Sequence, residues 1–424
     1  MKNLCKYILV LLLAFAAKVV LHRYQPHIVM VTGSVGKTST KDAVAAVLAA
    51  RFFVRKSEKS FNSELGVPFT ILGVGNPWSN PVEWLRVIRS AFALCILPNH
   101  YPNMLVLEVG ADRPGDLARI LRFATPDMVV VTRLPEIPVH VEAYASPEAV
   151  REEEFSPAYA LSAGSPLIIS SDDAYAGENA SRTPAKIISY GMADDAQVHI
   201  SSIDFYEEKG KVEGMNADVA IKGKKEKLVV KGSVGKTQIL PIAAALATAL
   251  SFGIPFSEAH KALESYEPPP GRGRLLNGKN NSIIIDDSYN ASPAAVEEAL
   301  ATLKIFPHAK RRIAVLGDML ELGRHSVVEH ERIAVLAGDS ADVIITIGIR
   351  ARAFGIAPNG AEIMQFDNAR VAVDAISALV CEGDVILIKG SQSIRTERIV
   401  EALLANPTDA SKLVRQEKKW RESA

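Results

Sequence analysis

The chain lacks most of the features that would class it at a glance. It has only three cysteines, Cys5, Cys95 and Cys381, far apart and in no metal-ligand spacing. That excludes a disulfide scaffold and fits a reducing, cytoplasmic compartment. Neither sign of charge is in excess, with 48 basic residues against 48 acidic ones. A general nucleic-acid binder needs a basic face to displace counterions, so no nucleic-acid partner is expected. With 48% hydrophobic and 23% charged residues, the chain also lacks the polar bias of a disordered protein. Its 424 residues, at roughly 150 per domain, suggest two or three domains.

The first positive signal is a phosphate cradle. His27–Thr32 reads as a buried β-branched strand, and Gly33-Ser34-Val35-Gly36-Lys37-Thr38-Ser39 then opens a helix running to Ala50. Glycines there let backbone N–H groups face a nucleotide's phosphates, and the helix dipole adds positive potential. Lys37 is expected to reach the β- and γ-phosphates and Thr38 to hold Mg²⁺. The spacing is shorter than G-x-x-x-x-G-K-[ST], whose first glycine position is Val31 here. The same hexapeptide recurs at Gly232–Thr237. The segment before it, Lys227–Val230, ends a lysine-rich hairpin region rather than a buried parallel strand. A coincidental helix start is therefore expected there, not a second nucleotide site.

Several further blocks carry a family resemblance. They are Asn62-Ser63-Glu64-Leu65-Gly66-Val67-Pro68, Leu107-Glu108-Val109-Gly110-Ala111, Pro270-Gly271-Arg272-Gly273-Arg274 and Asp286-Asp287-Ser288-Tyr289-Asn290-Ala291. Gly317-Asp318-Met319-Leu320-Glu321-Leu322-Gly323 and Lys389-Gly390-Ser391 with Arg395 complete the series. Together they resemble the Mur ligases, most closely the type that adds D-alanyl-D-alanine to the peptidoglycan precursor. The resemblance spans about His27 to Leu404, with the blocks in register.

It implies an α/β protein, with a P-loop-containing central domain on a parallel sheet and a Rossmann-like, doubly wound C-terminal domain. Strand–helix alternation in the last third, at Ile283–Ile285, Ile313–Leu316, Val343–Ile347 and Val385–Ile388, agrees. The implied chemistry transfers the γ-phosphoryl of ATP to a substrate carboxylate, which an amine then attacks. Such a reaction needs cationic clamps and Mg²⁺ more than a covalent nucleophile. By resemblance Lys37, Glu108, His140 and Glu154 are catalytic, and Thr38, Glu108 and His140 are Mg²⁺ ligands. Residues Gly33 to Ser39, Arg274 and Asp287 bind ATP, while Asn62, Lys389, Ser391 and Arg395 line the substrate sites. The implied substrates are a muramoyl peptide and D-alanyl-D-alanine. Each role has a plainer rival: Glu108 as a strand-end salt-bridge partner, His140 as a structural histidine, Arg274 as a linker residue.

Two positions depart from the family pattern. Where the family carries a carbamylated lysine, fourteen residues beyond His140, this chain has Glu154. Glutamate supplies a carboxylate without CO₂, although Glu152-Glu153-Glu154 also reads as a solvated acidic helix face. Where the family places an asparagine on adenine, this chain has Pro241.

The amino terminus stands apart. Leu4–Leu21 is apolar apart from Lys6 and Lys18 and is a marginal length for a bilayer span. Inner-membrane anchoring on the cytoplasmic face is the expectation; a buried helix and a signal peptide are the rivals. The domain expectation is a helix in 1–24, a central domain over 25–267 and a C-terminal domain over 268–424, with Pro268–Pro270 as hinge. The family's UDP-sugar-binding first domain is not expected in the 32 residues that precede Gly33 here. A ligase with another acceptor and a non-catalytic nucleotide-binding scaffold remain alternatives. The basic tail (Lys412, Arg415, Lys418, Lys419, Arg421) reads as a solvated helix end.

Overall fold

The computed structural model describes residues 2–58, 60–77, 80–356, 360–417 and 420, excluding the side chains of 2–7 and 356. Two sheets lie on either side of Pro268–Pro270. The first has nine strands: β1 (His27–Thr32), β2 (Val54–Lys56), β3 (Met104–Glu108), β4 (Met128–Val131), β5 (Pro166–Ser170), β6 (Lys186–Gly191), β7 (Val198–Glu208), β8 (Lys211–Ile221) and β9 (Lys224–Lys231). Their order is β2-β3-β1-β4-β5-β6-β7-β8-β9, parallel as far as β7 and antiparallel beyond it. The parallel strands are β-branched runs buried on both faces, as strands covered by helices must be. Val29 and Val31 face one core layer, Ile28 and Met30 the other.

β1 sits between β3 and β4, so the chain leaves its carboxyl end toward one side and later returns on the other. That reversal opens a crevice where ligands bind in open α/β sheets. The second sheet comprises β10 (Arg274–Asn277), β11 (Ile283–Asp287), β12 (Arg311–Gly317), β13 (Val343–Ile347), β14 (Glu362–Phe366) and β15 (Asp384–Lys389). Its order is β10-β11-β15-β12-β13-β14, with only β10 antiparallel.

The helices that position the site are α1 (Lys2–Tyr24), α2 (Lys37–Leu48), α3 (Gly66–Leu72), α4 (Pro81–Ile96), α5 (Asp116–Leu121) and α6 (Pro147–Tyr159). α1 corrects the anchor expectation. It does not stand free: Leu13, Ala17 and Val20 are buried in the core layer that also holds Val67 and Phe69 of α3 and Val87, Ala91 and Leu94 of α4. Among the described residues, no helix is long and apolar enough to cross a membrane. The second GSVGKT follows β9, an antiparallel strand at the end of the sheet, and starts helix Lys236–Ser251, as a coincidental copy would.

Candidate active site

The loop between β1 and α2 turns on two glycines with left-handed backbone, Gly33 (φ 114°) and Gly36 (φ 90°). At Gly33 a Cβ would lie 2.4 Å from Thr132 Oγ1, so no larger residue fits. Ser34 N and Val35 N both donate to Arg133 O, at 3.0 and 3.2 Å, which ties the loop to the end of β4. Lys37 Nζ donates to Gly33 O and lies 3.3 Å from Glu154 Oε1. Asn62 borders the same space: Gly110 N donates to Asn62 O at 3.1 Å. A Cβ on Gly110 would meet the Asn62 amide at 3.1 Å and Lys37 Cε at 3.3 Å.

Glu152, Glu153 and Glu154 of α6 do not form a solvated face. Glu154 is 1% exposed and accepts from Ser34 Oγ, while its backbone oxygen accepts from Thr32 Oγ1 at 2.5 Å. Glu153 accepts from Gly115 N and Leu117 N, satisfying free amides at the start of α5. Glu152 accepts from the Tyr159 and Tyr175 hydroxyls. The helix is aimed by its first turn, where Ser146 caps Ala149 N ahead of Pro147. The reading in which Glu154 stands in for the carbamylated lysine thus gains a buried carboxylate in the phosphate cradle.

Glu108, at the end of β3, is 1% exposed. Thr38 Oγ1 donates to its Oε1 at 3.3 Å, whereas its Oε2 accepts no hydrogen bond and lies 3.9 Å from Lys41 Nζ. Burial pushes its pKa up, against the pull of Lys41, Lys37, Arg272 and the Thr38 bond. A buried carboxylate oxygen without a donor, next to a hydroxyl, is a hard oxygen pair that fits Mg²⁺.

From the second sheet, Tyr289 Oη donates to Ser60 Oγ at 2.8 Å, and Ser60 lies 3.2 Å from Thr38 Oγ1. Arg272 stacks on the Tyr289 ring with its guanidinium carbon 4.0 Å from the centroid. These groups line a cavity of about 620 Å³ that runs from Thr38 past Phe69 and Trp84 to Trp420. A smaller cavity on the other side of the loop is walled by Val35, Gly36, Tyr190, Lys236, Thr237 and Pro241. The helix start of the second GSVGKT therefore faces the first copy across this space.

Other expected site residues are engaged elsewhere. His140 Nδ1 lies 2.9 Å from Glu321 Oε2, and its Nε2 lies 3.6 Å from Asp112 Oδ1. Burial alone would lower its pKa, but the bond to Glu321 and the charges of Glu321 and Asp112 outweigh burial and raise it. Among the described residues, no three His, Cys, Asp or Glu gather as metal ligands. Asp287 pairs with Lys389 Nζ at 2.7 Å, and Lys389 also donates to Asn290 O at 2.9 Å. Ser391 Oγ accepts from Leu320 N at 2.9 Å, clipping two strand ends together.

Arg395 donates to Glu397 and to Trp420 O, while Arg274 pairs with Glu267 at 3.8 Å. Arg272, not Arg274, thus lines the Thr38 cavity. Arg272, Tyr289, Ser60 and Lys41 were not singled out from sequence; only their place inside matched blocks pointed to Arg272 and Tyr289. Of the basic tail, Lys418, Lys419 and Arg421 lie outside the described residues and Lys412 is exposed, but Arg415 departs from a solvated helix end. Arg415 is buried, pairs with Glu397 at 2.8 Å and donates to Ser288 O and Tyr289 O, bracing the Tyr289 loop.

Asp286 lies beneath that loop, fully buried, accepting from Ser288 N at 3.2 Å and Ser288 Oγ at 2.5 Å. Burial pushes its pKa up to about 6. A raised folded pKa stabilises fully below the ordinary aspartate range, and that contribution is lost as pH rises through about 6. Denaturant titrations across acid to neutral pH should show this decline in the wild type and a flatter profile in Asp286→Asn.

The pattern of the Mur ligase middle domain matches residues 86–249, and that of the Mur ligase glutamate ligase domain matches residues 271–392. The chain is 28% identical over 400 residues to the UDP-N-acetylmuramoyl-tripeptide–D-alanyl-D-alanine ligase of Bacillus subtilis, covering 92% of this chain and 79% of that protein. It is 25% identical to the Escherichia coli protein of the same name, covering 90% and 77%. The crystal structure of MurF ligase from Thermotoga maritima in complex with ADP superposes with a TM-score of 0.76 at 25% identity, covering 93% of this chain and 83% of that one.

Proposed function

The chain belongs to the Mur ligase family, and on that premise we propose that it is an ATP-dependent ligase of peptidoglycan-precursor synthesis. It joins D-alanyl-D-alanine to the terminal carboxylate of a muramoyl tripeptide. The observation that carries this reading is that Thr38, Ser60, Arg272 and Tyr289 line one cavity, with the underbonded Glu108 bonded to Thr38 behind it and Lys37 next to Thr38 in the cradle. We take residues 25–267 and 268–424 as the two catalytic domains.

In the reaction a carboxylate oxygen of the tripeptide attacks the γ-phosphorus of ATP, the bond to the β-phosphate oxygen breaks, and ADP leaves. The amine of D-alanyl-D-alanine then attacks the acyl carbon, phosphate departs with the C–O bond's electrons, and the amine loses a proton. Negative charge spreads over the transferring phosphoryl in the first step, so fixed cations there lower the barrier. Lys37 supplies one such cation from the cradle and Arg272 a second from the cavity wall. Thr38 and Glu108 would hold Mg²⁺, which supplies charge neutralisation on the phosphates. Glu154 takes the part of the family's carbamate, and Asn62 borders the space beside Gly110 and Lys37. Pro241 and Tyr190 offer adenine an apolar wall in place of an amide.

If Glu154 supplies the carboxylate directly, turnover is insensitive to removal of bicarbonate. Glu154→Ala should lower kcat by about 10²-fold, and a wild type that needs bicarbonate would exclude the assignment. The proposal as a whole is tested by phosphate release with purified substrates. Release should require ATP, Mg²⁺, UDP-muramoyl-tripeptide and D-alanyl-D-alanine together, with the UDP-muramoyl-pentapeptide as product.

A further inference from the structure

α4 is apolar on two opposite sides. Val87, Ala91 and Leu94 are buried against the first domain, while Leu85, Ile88, Phe92 and Ile96 form a stripe on the far side at helical spacing, with Leu85 68% and Phe92 67% exposed. α1 repeats the pattern: Leu13, Ala17 and Val20 face inward, and Leu12 and Phe15 face outward. The two helices touch, since Arg23 donates to Cys95 O at 2.8 Å and Tyr24 Oη to Leu94 O at 3.2 Å. Both pack in the core layer on one face of the first sheet. Nearly half of the large exposed hydrophobic side chains among the described residues lie on this pair, so the apolar surface is concentrated rather than scattered.

The charge around this surface is mostly of one sign. The first acidic residue of the chain is Asp42, whereas Lys2, Lys6, Lys18 and Arg23 fall within the first 24 residues. Lys18, Arg23, Arg86 and Arg89 are exposed, and α4 carries Glu83 as its single acid, paired with Arg86. In a chain with no net charge, this is a local cationic rim around an apolar face. That combination matches an anionic lipid surface, which takes apolar side chains between its headgroups and attracts cations at its edge. The geometry points to the outer face of α1 and α4 as an interfacial membrane-docking surface that lies on the bilayer without crossing it. α4 also carries Trp84 in the wall of the large cavity, so docking sets that cavity beside the membrane.

The test is co-sedimentation of the full chain with vesicles of phosphatidylcholine, with or without phosphatidylglycerol. The wild type should pellet with the anionic vesicles and much less with neutral ones. The Leu85→Gln/Phe92→Gln pair should bind about tenfold or more weakly. Both positions are exposed, so its thermal melt and ligase activity in lipid-free buffer should match the wild type. Arg86→Gln/Arg89→Gln should weaken binding to anionic vesicles and flatten its salt dependence. No pelleting of the wild type, or wild-type binding by both variants, would overturn the proposal. So would a lipid-free dimer that Leu85→Gln/Phe92→Gln disperses, since the face would then belong to a second copy.

Discussion

Lys37→Ala should reduce steady-state phosphate release by about 10³-fold, with KM for the peptide substrates little changed. The ammonium is the cradle's own cation for the charge on the transferring phosphoryl, and Arg272, which acts from the cavity wall, does not take its place. The substitution has a second effect that must be separated from the first. Lys37 also faces Glu154, which is buried and whose other side-chain partner among the described residues is Ser34. Removing the lysine leaves a buried carboxylate without its cation, at a cost of about 3 kcal/mol. Lys37→Ala/Glu154→Gln restores the stability by making the buried group neutral. It does not restore the activity. Chemical denaturation and single-turnover phosphate release on the same three proteins separate the two effects. Recovery of turnover in the double variant would remove Lys37 from the mechanism.

Glu108→Gln should lower turnover by about 10²-fold and, in the ligand-free protein, leave stability at neutral pH equal or higher. Burial holds the Glu108 carboxyl above the ordinary range, chiefly by desolvation. A group with a raised folded pKa contributes its stability at low pH and loses it as pH rises through that pKa. Wild-type stability should therefore decline above the ordinary carboxylate range, and the glutamine variant should lack that part of the decline. Lys41 is not stranded by the change, because it keeps Ser57 O at 2.8 Å and Asp42 at 3.2 Å. Mg²⁺–ATP should stabilise the wild type more than the variant. A variant that turns over normally would show that Glu108 is only a partner for Lys41.

The fold was legible wherever the chain carries strong periodicity. His27–Thr32 and Val343–Ile347 form strands with the expected bounds, because uninterrupted β-branched runs admit few alternatives. β14 was missed, since Glu362–Phe366 alternates weakly at the sheet's edge and is only partly buried. The cradle was legible because its chemistry is local: two glycines, a lysine and a hydroxyl at a helix start fix the geometry without help from afar.

Residues that act across the two sheets were not legible. Arg272 and Arg274 stand two apart in one loop, and only the backbone path through Gly271 and Gly273, both left-handed, decides which faces Thr38. The triple glutamate illustrates the same limit. Sequence reads one acidic face, whereas three successive helical positions point 100° apart and meet a tyrosine pair, a helix start and the phosphate cradle. α1 was misjudged because apolar length cannot distinguish a span from a helix with one face on a protein core.

The central claim is that the cradle activates a carboxylate by phosphorylation. It is tested most directly with UDP-muramoyl-tripeptide whose terminal carboxylate carries heavy oxygen, incubated with ATP, Mg²⁺ and D-alanyl-D-alanine. The account predicts one heavy oxygen in each phosphate released, delivered when the amine displaces it from the acyl phosphate. Phosphate free of the label, or ATP bound tightly with no phosphate released from any muramoyl peptide, would contradict it.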